Sequence, residues 1–239
     1  GDVYDGEFTE DQRAGQGTFL GSDGYKYVGE WAEGQIQGKG EVTYPDGSFY
    51  AGDFVNGLAS GNGKIQYPDG SVYDGEWKAG VIEGIGRAQY SNGVVYDGGF
   101  KNARNHGFGI MDYGNGYIYE GDWMDGNRHG KGLSKFADGM VYEGDYLNGK
   151  RHGIGIITLA DGFRYEGEWL AGEITGEGIA TYSNGDIYKG TFVNGRRQGE
   201  GIIKFANGRS AKGKWQDGAL IDAETAITDT DIEASTGNE

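Results

Sequence analysis

Residues 27–49 read YVGEWAEGQIQGKGEVTYPDGSF, and this 23-residue pattern recurs along the chain without an insertion or deletion. Each copy begins with a tyrosine, at Tyr4, Tyr27, Tyr50, Tyr73, Tyr96, Tyr119, Tyr142, Tyr165 and Tyr188. A partial tenth copy begins at Ala211, where the tyrosine is lost but Gly213 and Trp215 remain. A fixed period of this length is typical of repeat proteins, in which each unit packs against its neighbours. The pattern therefore predicts one repeat domain over residues 4–220.

The first segment of the repeat alternates large and small residues. Tyr27, Gly29 and Trp31 would share one face of a strand, with the residues between them on the other face. Residues 38–44 alternate in the same way, and an Asp-Gly or Asn-Gly pair follows in all nine repeats. Such pairs favour tight hairpin turns. We therefore expect an all-β fold, an elongated single-sheet antiparallel β-meander with two strands per repeat.

The turn between repeats also predicts a register. A three-residue turn that pairs Tyr44 with Ser48 aligns the strands on either side of it. On the tyrosine face it sets Val42 opposite Tyr50, Gly40 opposite Gly52 and Gly38 opposite Phe54. On the other face it sets Lys39 opposite Asp53, Lys64 opposite Asp74, Arg87 opposite Asp97 and Lys131 opposite Asp145. Each aromatic ring would then lie over a glycine of a neighbouring strand, where a side chain would not fit.

The pattern Tyr-x-Gly-Glu/Asp-aromatic, followed by Gly-x-Gly and Asp/Asn-Gly, resembles the membrane occupation and recognition nexus (MORN) repeat. Residues 142–153, YEGDYLNGKRHG, are similar to the family's consensus. The resemblance covers about nine-tenths of the chain. It implies a single antiparallel sheet that curls into a half-pipe. It also implies a scaffold, protein-docking or dimerising role, with lipid binding as a further possibility.

Composition and charge narrow the classes of function. The chain has 21 Lys and Arg against 37 Asp and Glu, a formal net charge of −16, which argues against nucleic-acid binding and nonspecific adhesion to anionic membranes. No apolar stretch is long enough for a membrane span, and no signal peptide is evident. The absence of cysteine excludes disulfides and cysteine metal sites. We expect a soluble protein, cytoplasmic or peripherally associated with a membrane, although the sequence does not determine the compartment.

The sequence offers little for catalysis or metal binding. His106, His129 and His152 occupy the same place in successive repeats, which would hold them about 10 Å apart, too far to share one metal ion. We interpret them as loop residues that cap a turn. Carboxylate pairs recur after tyrosines along the chain, in five of the nine repeats, so none is distinguished as an active site. We therefore expect no enzyme activity, no metal and no cofactor.

Basic residues gather in one part of the second half of the chain. They are predicted to line a loop edge: Arg104, Arg128, His129, Lys150, Arg151, Arg196 and Arg197. The matching segments of repeats two to four contain no basic residue. This edge could bind an acidic peptide or an anionic lipid headgroup such as a phosphoinositide. The alternative is a solvated edge that offsets the neighbouring carboxylates.

The face opposite the tyrosines changes character along the chain. One position is polar in repeats one to four and apolar in repeats five to nine. The apolar residues of this face are Phe108, Ile110, Leu133, Ile154, Ile156, Ile179 and Ile202. Such a row suggests a covered surface, and we expect it to associate with another protein or with a second copy as a homodimer. The alternative is that sheet curvature buries the row within the chain.

The tyrosine face predicts an aromatic groove that is primarily structural. Its rings are Tyr27, Trp31, Tyr73, Trp77, Tyr119, Trp123, Tyr165 and Trp169. A peptide or glycan could still use such rings as a platform. The sequence thus predicts a non-catalytic scaffold for protein interaction or self-association, with anionic-phospholipid binding, then peptide or glycan binding, as alternatives. Residues 221–239 form an acidic tail that is either disordered or a terminal cap.

Overall fold

The computed structural model describes residues 1–224 and contains strands and turns but no helix in that part of the chain. Within each unit consecutive strands pair antiparallel, two to a repeat, which confirms the predicted all-β meander. The chain forms two compact units, unit 1 (Gly1–Asn127) and unit 2 (Arg128–Glu239). Residues 225–239, most of the predicted tail, lie outside the described residues.

Unit 1 contains eleven strands: β1 (Val3–Thr9), β2 (Gln12–Leu20), β3 (Lys26–Ala32), β4 (Gln35–Thr43), β5 (Phe49–Val55), β6 (Leu58–Gln66), β7 (Val72–Lys78), β8 (Val81–Gln89), β9 (Val95–Lys101), β10 (Arg104–Asp112) and β11 (Ile118–Met124). Unit 2 contains nine: β12 (Asn127–Lys135, whose first residue ends unit 1), β13 (Val141–Leu147), β14 (Lys150–Thr158), β15 (Arg164–Leu170), β16 (Glu173–Thr181), β17 (Ile187–Val193), β18 (Arg196–Lys204), β19 (Ser210–Gln216) and β20 (Ala219–Glu224).

The turn between repeats has the predicted geometry. The Tyr44 N–H donates to the Ser48 carbonyl at 2.8 Å, and the Gly47 N–H donates to the Tyr44 carbonyl at 2.9 Å. Gly47 has φ of 88°, the left-handed conformation that glycine adopts without strain. The register between β4 and β5 follows: Val42 pairs with Tyr50, Gly40 with Gly52 and Gly38 with Phe54.

The turn inside each repeat is tighter than the sequence pattern predicts. Glu33 and Gly34 both have positive φ, 50° and 79°, as in a two-residue type I′ hairpin. Strand β4 therefore begins at Gln35, three residues before the predicted start at Gly38. The predicted loop at this place is wrong in every repeat, because a non-glycine residue such as Glu33 adopts the left-handed conformation that closes the turn.

Gly38 is required by a β-bulge and not by the predicted contact with the Phe54 ring. Gly38 pairs with Phe54, but a Cβ on Gly38 would meet the carboxyl carbon of Glu30 at 2.7 Å, not the Phe54 ring. The Glu30 carboxylate accepts a hydrogen bond from the Lys39 N–H at 3.1 Å across the bulge. Gly38 itself has φ of 67°. The bulge therefore requires glycine here through its backbone conformation and the position of Glu30.

The core is a ladder of tyrosines, each beneath a second aromatic ring. The Tyr27 hydroxyl donates to the Glu30 carbonyl at 2.8 Å, and Cβ atoms on Gly29 or Gly40 would lie 2.5 Å from that hydroxyl oxygen. Trp31 and Phe54 pack edge-to-face against Tyr27, each with ring centroids 5.4 Å from it. Eight ladder tyrosines are at most 2% exposed: Tyr27, Tyr50, Tyr73, Tyr96, Tyr119, Tyr142, Tyr165 and Tyr188. Aromatic pairs of this geometry contribute roughly 0.5–1.5 kcal/mol each beyond the area they bury.

The opposite face carries the predicted charge pairs. Lys39 and Asp53 form an ion pair of 2.7 Å, Arg87 and Asp97 one of 2.6 Å, and Lys131 and Asp145 one of 2.6 Å. Lys64 and Asp74 are register partners as predicted, but they form no ion pair within the described residues. Exposed pairs contribute only about 0–1 kcal/mol each, so they align strands more than they stabilise them.

The last described strand pairs beyond the predicted limit of the repeat domain. β20 runs to Glu224, four residues past position 220, and pairs antiparallel with β19. An ion pair of 2.9 Å joins Lys212 to Glu224 at the end of this strand pair. β20 therefore covers the backbone groups that β19 would otherwise expose on that side.

We predict that Gly40→Ala destabilises the fold. The new methyl group would lie 2.5 Å from the Tyr27 ring, so the tyrosine must shift, and we expect the free energy of unfolding to fall by roughly 1–3 kcal/mol. Urea unfolding followed by circular dichroism measures the change. Glu41→Ala, at the next residue and on the exposed face, is the control and should stay within about 0.5 kcal/mol. Equal unfolding midpoints for Gly40→Ala and wild type would show that the ring contact does not constrain this position.

Candidate functional site

The eight rings of the predicted aromatic groove lie in the ladder and offer little surface. Tyr27, for example, is fully buried and Trp31 is 6% exposed, whereas Trp77 is half-buried. Indole N–H groups are also used internally, since Trp31 donates to the Gly17 carbonyl at 3.3 Å and Trp77 to the Gly63 carbonyl at 3.0 Å. These residues hold the fold together, and a ligand would have to contact other side chains of the same face.

A second set of aromatic residues, not predicted as a site from the sequence, lies at the turn edge of this face in unit 1. We call Tyr44, Tyr67 and Tyr90 the turn row. Tyr67 is 37% and Tyr90 39% exposed, and Tyr44 is half-buried beside Tyr25, with ring centroids 6.0 Å apart. Each follows a buried residue of the tyrosine face by two positions, as Tyr44 follows Val42, so the row shares that face. The sequence signal was present, because an aromatic residue recurs at this position of the repeat.

The hydroxyls of the two tyrosine rows differ in their partners. Every ladder tyrosine donates to the carbonyl three residues on, as Tyr50 does to Asp53 at 3.1 Å and Tyr73 to Glu76 at 2.9 Å. The turn-row hydroxyls make no hydrogen bond to any described residue. Partial burial raises the pKa of Tyr44, Tyr67 and Tyr90, so these hydroxyls are neutral donors at physiological pH.

Small residues separate the turn-row rings. Ser48 follows Tyr44 across the turn, and Ser71 and Val94 stand in the same relation to Tyr67 and Tyr90. Ser48 is 2% exposed, and its buried hydroxyl has no hydrogen-bond partner among the described residues. The edge therefore alternates large aromatic and small residues along the direction in which the strands succeed one another.

Each of the first two turns beside the row carries an exposed carboxylate. Asp46 accepts a hydrogen bond from the Ser48 N–H, and Asp69 from the Ser71 N–H, both at 2.8 Å. The Ser71 N–H and hydroxyl lower the pKa of Asp69, so it stays ionised at neutral pH. Residues 44–48, 67–71 and 90–94 include no lysine or arginine. The turn edge of unit 1 is therefore aromatic and negatively charged.

The predicted basic loop edge is not a loop, and its residues occupy two settings. Because the strands begin at the tight turns, Arg128, Arg151 and Arg197 lie in strands and extend over rings of the tyrosine face. The guanidinium of Arg151 lies 4.6 Å from the Trp169 ring centroid, and that of Arg197 lies 4.1 Å from Trp215. The residues before them, Lys150 and Arg196, face the other way, because successive side chains of a strand alternate.

Two of these arginines also bond to the next turn. Arg128 donates from Nη2 to the Gly149 carbonyl, and Arg197 donates to the Gly218 carbonyl, both at 2.6 Å. In unit 1, Arg13 occupies the equivalent place, 4.9 Å from the Trp31 centroid. These guanidinium groups belong to the packing of the aromatic face. The exposed members of the predicted edge are Arg104 in unit 1 and Lys150 and Arg196 in unit 2.

The three histidines are half-buried at the position next to these residues. In other repeats the equivalent side chain accepts a hydrogen bond from the backbone N–H nineteen residues on, as Gln37 does from Asn56 at 2.9 Å and Gln198 from Asp217 at 3.1 Å. His106 faces Asp125, which is nineteen residues on, with Nδ1 3.8 Å from the carboxylate. Within residues 1–224 no cluster of three or more His, Asp or Glu residues could hold a metal ion.

The apolar row on the opposite face is partly exposed in both units. Phe108 is 58% exposed in unit 1, and in unit 2 Ile154 is 54% and Ile179 37% exposed. Ile110 is also exposed, and Leu133, Ile156 and Ile202 are half-buried. Curvature within the chain therefore does not cover the row as a whole.

Charged residues interrupt the row in unit 2. Glu143 pairs with both Leu133 and Ile156, and Glu166 pairs with both Ile156 and Ile179. Each apolar side chain therefore has charged cross-strand neighbours at the same height of the sheet. The row is a series of separate apolar contacts and does not form an unbroken apolar patch.

Two antiparallel strands in every 23 residues define a tandem β-hairpin repeat protein. The MORN repeat model matches nine consecutive segments: residues 4–24, 27–49, 50–72, 73–95, 96–116, 119–141, 142–164, 165–187 and 188–208. The chain belongs to the MORN repeat family. No curated protein matches it significantly.

Solved structures share the fold at low sequence identity. The wild-type TCP10 domain of Danio rerio CPAP in complex with a peptide of Danio rerio STIL is 13% identical, with a TM-score of 0.53 over 95% of this chain and 99% of that one. The same domain without the peptide is 12% identical, with a TM-score of 0.49 over 88% and 99%. No helix in residues 1–224 could span a membrane.

We predict that alkaline pH unfolds the protein through the ladder tyrosines. Burial raises the pKa of Tyr50 and Tyr73 from 10.0 to about 12, so the folded chain favours the neutral phenol. Their contribution to stability is complete below about pH 10 and is lost as the pH rises towards 12. Phenolate absorbance and circular dichroism, followed together, should change in one transition in that window. Phenolate absorbance that reaches its full amplitude, ladder tyrosines included, near pH 10 with no loss of structure would contradict the assignment.

Proposed function

We propose that this protein is a non-catalytic repeat scaffold that binds an extended segment of a partner protein at the turn row of unit 1. The observation that carries the proposal is a line of partly exposed tyrosines whose hydroxyls are not used by the fold. Tyrosine supplies apolar contact area together with a hydrogen-bond donor, which suits a binding surface. The ladder rings of the face are buried apart from the half-buried Trp77, so the exposed rings of the turn row are where a segment could contact aromatic side chains.

The fold supports this mode of binding. A structure of similar fold, the TCP10 domain of Danio rerio CPAP, has been solved in complex with a peptide. Catalysis gains no support, because carboxylate pairs follow five of the nine tyrosines and none of these pairs is set apart from the rest. A repeating surface is better suited to a repeating or extended ligand than to a single reacting group.

A display experiment tests the proposal. A library of random linear peptides is selected against the wild-type protein, and the enriched peptides are then measured against surface variants by fluorescence polarisation. We expect Tyr67→Ala/Tyr90→Ala to weaken binding of the enriched peptides about tenfold or more, because it removes two aromatic contacts and two donors.

The control for this test is Ile85→Ala on the opposite face of the same unit, where the side chain is 63% exposed. It should leave peptide affinity unchanged. The proposal fails if no peptide is enriched over an unrelated protein, or if Ile85→Ala weakens binding and the tyrosine variant does not.

A second candidate role is self-association through the apolar row of unit 2. The observation that favours it is the exposure of Ile154 and Ile179 on the face away from the ladder. A second copy could place its own alternating apolar and charged residues against them, as a symmetric dimer requires. The mixed character of the row is consistent with a modest interface.

We predict that Ile156→Lys/Ile179→Lys lowers the assembly state without unfolding the protein, because both side chains lie outside the aromatic core. Size-exclusion chromatography with light scattering should show a dimer for wild type and a monomer for the variant. Ala160→Lys/Ser183→Lys adds the same charge at exposed turn positions of the unit, outside the strands that carry the row, and should remain dimeric. A wild-type protein that is monomeric at all concentrations would exclude this role.

Anionic-lipid binding is the remaining alternative and would have to use the exposed basic residues, Arg104 in unit 1 or Lys150 and Arg196 in unit 2. Arg196 already lies 3.8 Å from the Asp217 carboxylate, which weakens the case for a headgroup site there. Flotation with vesicles that contain a phosphoinositide is the direct measurement.

A further inference from the structure

We infer that the turn row recognises a polyproline II segment with proline at every third position and a basic residue beside it. This inference rests on the proposed function and names the conformation and chemistry of the ligand. It follows from the spacing of the row, the gaps between its rings, its unused hydroxyls and its charge.

The spacing of the row matches one turn of a polyproline II helix. Tyr44, Tyr67 and Tyr90 lie one repeat apart, and each repeat contributes two strands at about 4.8 Å, which gives about 9.6 Å between successive tyrosines. A polyproline II helix advances about 3.1 Å per residue and about 9.3 Å per turn of three residues. The mismatch is about 0.3 Å per tyrosine. Two turns of an α-helix, at about 10.8 Å, fit less well.

The row also alternates large and small side chains, as the binding of such a segment requires. The rings of Tyr67 and Tyr90 project beside small residues, Ser71 and Val94, that lie next to them across their turns. A helix with three residues per turn presents the same type of side chain at each gap. Proline rings, which are flat and rigid, fill gaps between aromatic rings with little loss of conformational entropy.

The hydroxyls supply the polar half of recognition. A polyproline II segment makes no internal hydrogen bonds, so its carbonyls are free to accept. Proline has no N–H, so its partner must act as a donor. Tyr44, Tyr67 and Tyr90 carry hydroxyls that bond to no described residue and remain protonated at neutral pH. The ladder hydroxyls cannot do this because the backbone already uses them.

Charge indicates the flanking residue of the ligand. Asp46 and Asp69 leave two carboxylates beside the first two gaps, with no basic side chain in the adjoining turns. A lysine or arginine in the segment would complement them. An acidic segment would be repelled.

Unit 2 repeats the turn carboxylates, at Asp138 and Asp161, but not the row of tyrosine hydroxyls, which provides an internal control. The equivalent positions hold Phe136, Leu159, Tyr182 and Phe205. Tyr182 lies against the Arg197 guanidinium, 5.8 Å from its ring centroid, so the one remaining hydroxyl sits beside a cation. The polyproline surface is therefore specific to unit 1.

The probe is a fluorescein-labelled synthetic peptide of three Pro-Pro-Ala triplets followed by Arg, measured by fluorescence polarisation with the full chain. We expect micromolar binding to wild type. Tyr67→Ala/Tyr90→Ala should weaken it about tenfold or more, and Tyr67→Phe/Tyr90→Phe should weaken it severalfold, because only the hydroxyls are lost. Tyr182→Ala in unit 2 should have no effect. Circular dichroism confirms that each variant is folded.

A second peptide with the same composition but a scrambled order, in which the prolines do not recur with a period of three, tests the spacing. We expect it to bind about tenfold more weakly, and replacing the terminal Arg of the first peptide by Glu should also weaken binding. Equal affinity for the two proline arrangements would overturn the inference. So would binding of the probe that the tyrosine variants do not alter.

The outcome separates this inference from the function on which it rests. If displayed peptides bind the turn row but the proline probe does not, the scaffold role stands and the polyproline assignment is wrong. If neither the displayed peptides nor the probe depend on Tyr67 and Tyr90, both are wrong.

Discussion

The structure depends on one contact, the placement of a tyrosine ring over a pair of facing glycines. Tyr27 occupies the space that side chains on Gly29 and Gly40 would otherwise fill, and its hydroxyl reaches the Glu30 carbonyl. The ring is held from below by backbone, at its tip by a hydrogen bond and from the sides by Trp31 and Phe54. A sheet with so few aliphatic residues gains its core this way, because rings supply most of the buried apolar area.

This contact also decides which parts of the surface are free to differ between repeats. The position that packs beside the second ring of each ladder step holds Arg13, Ile36, Ala59, Ile82 or Asn105 in unit 1, and all five fit against the same ladder. The ladder needs the ring, the two glycines and the backbone carbonyl, and it does not need a particular neighbour. In repeat proteins of this kind the packing of the core is constant and the surrounding positions vary, so the variable positions determine which partners bind.

Most of the fold could be predicted from the sequence because its signals are local and repeated. Alternation and the Asp-Gly turn were sufficient for the register that pairs Val42 with Tyr50 and Lys39 with Asp53. The tight turn inside the repeat is not predicted at Glu33, although Asn-Gly or Asp-Gly pairs that favour a two-residue hairpin occupy the same place in other repeats, as at Asn148. Without that turn, strand residues such as Arg151 are predicted to lie in a loop. Exposure and hydrogen-bond use were also beyond the sequence. Tyr44 and Tyr50 are the same residue type, and only the structure shows that the Tyr50 hydroxyl already donates to a backbone carbonyl.

The turn row differs from the ladder in the property that matters for binding. A buried tyrosine with its hydroxyl bonded can only stabilise the fold, whereas Tyr67 and Tyr90 are anchored on one side and open on the other. Their neighbours across the turns, Ser71 and Val94, are smaller than the rings, and 37–39% of each tyrosine stays exposed. A second molecule that covers these rings and accepts hydrogen bonds from their hydroxyls would therefore gain binding free energy. The ladder fixes the distance between successive turn-row tyrosines, so the surface selects a ligand whose side chains recur at that same distance.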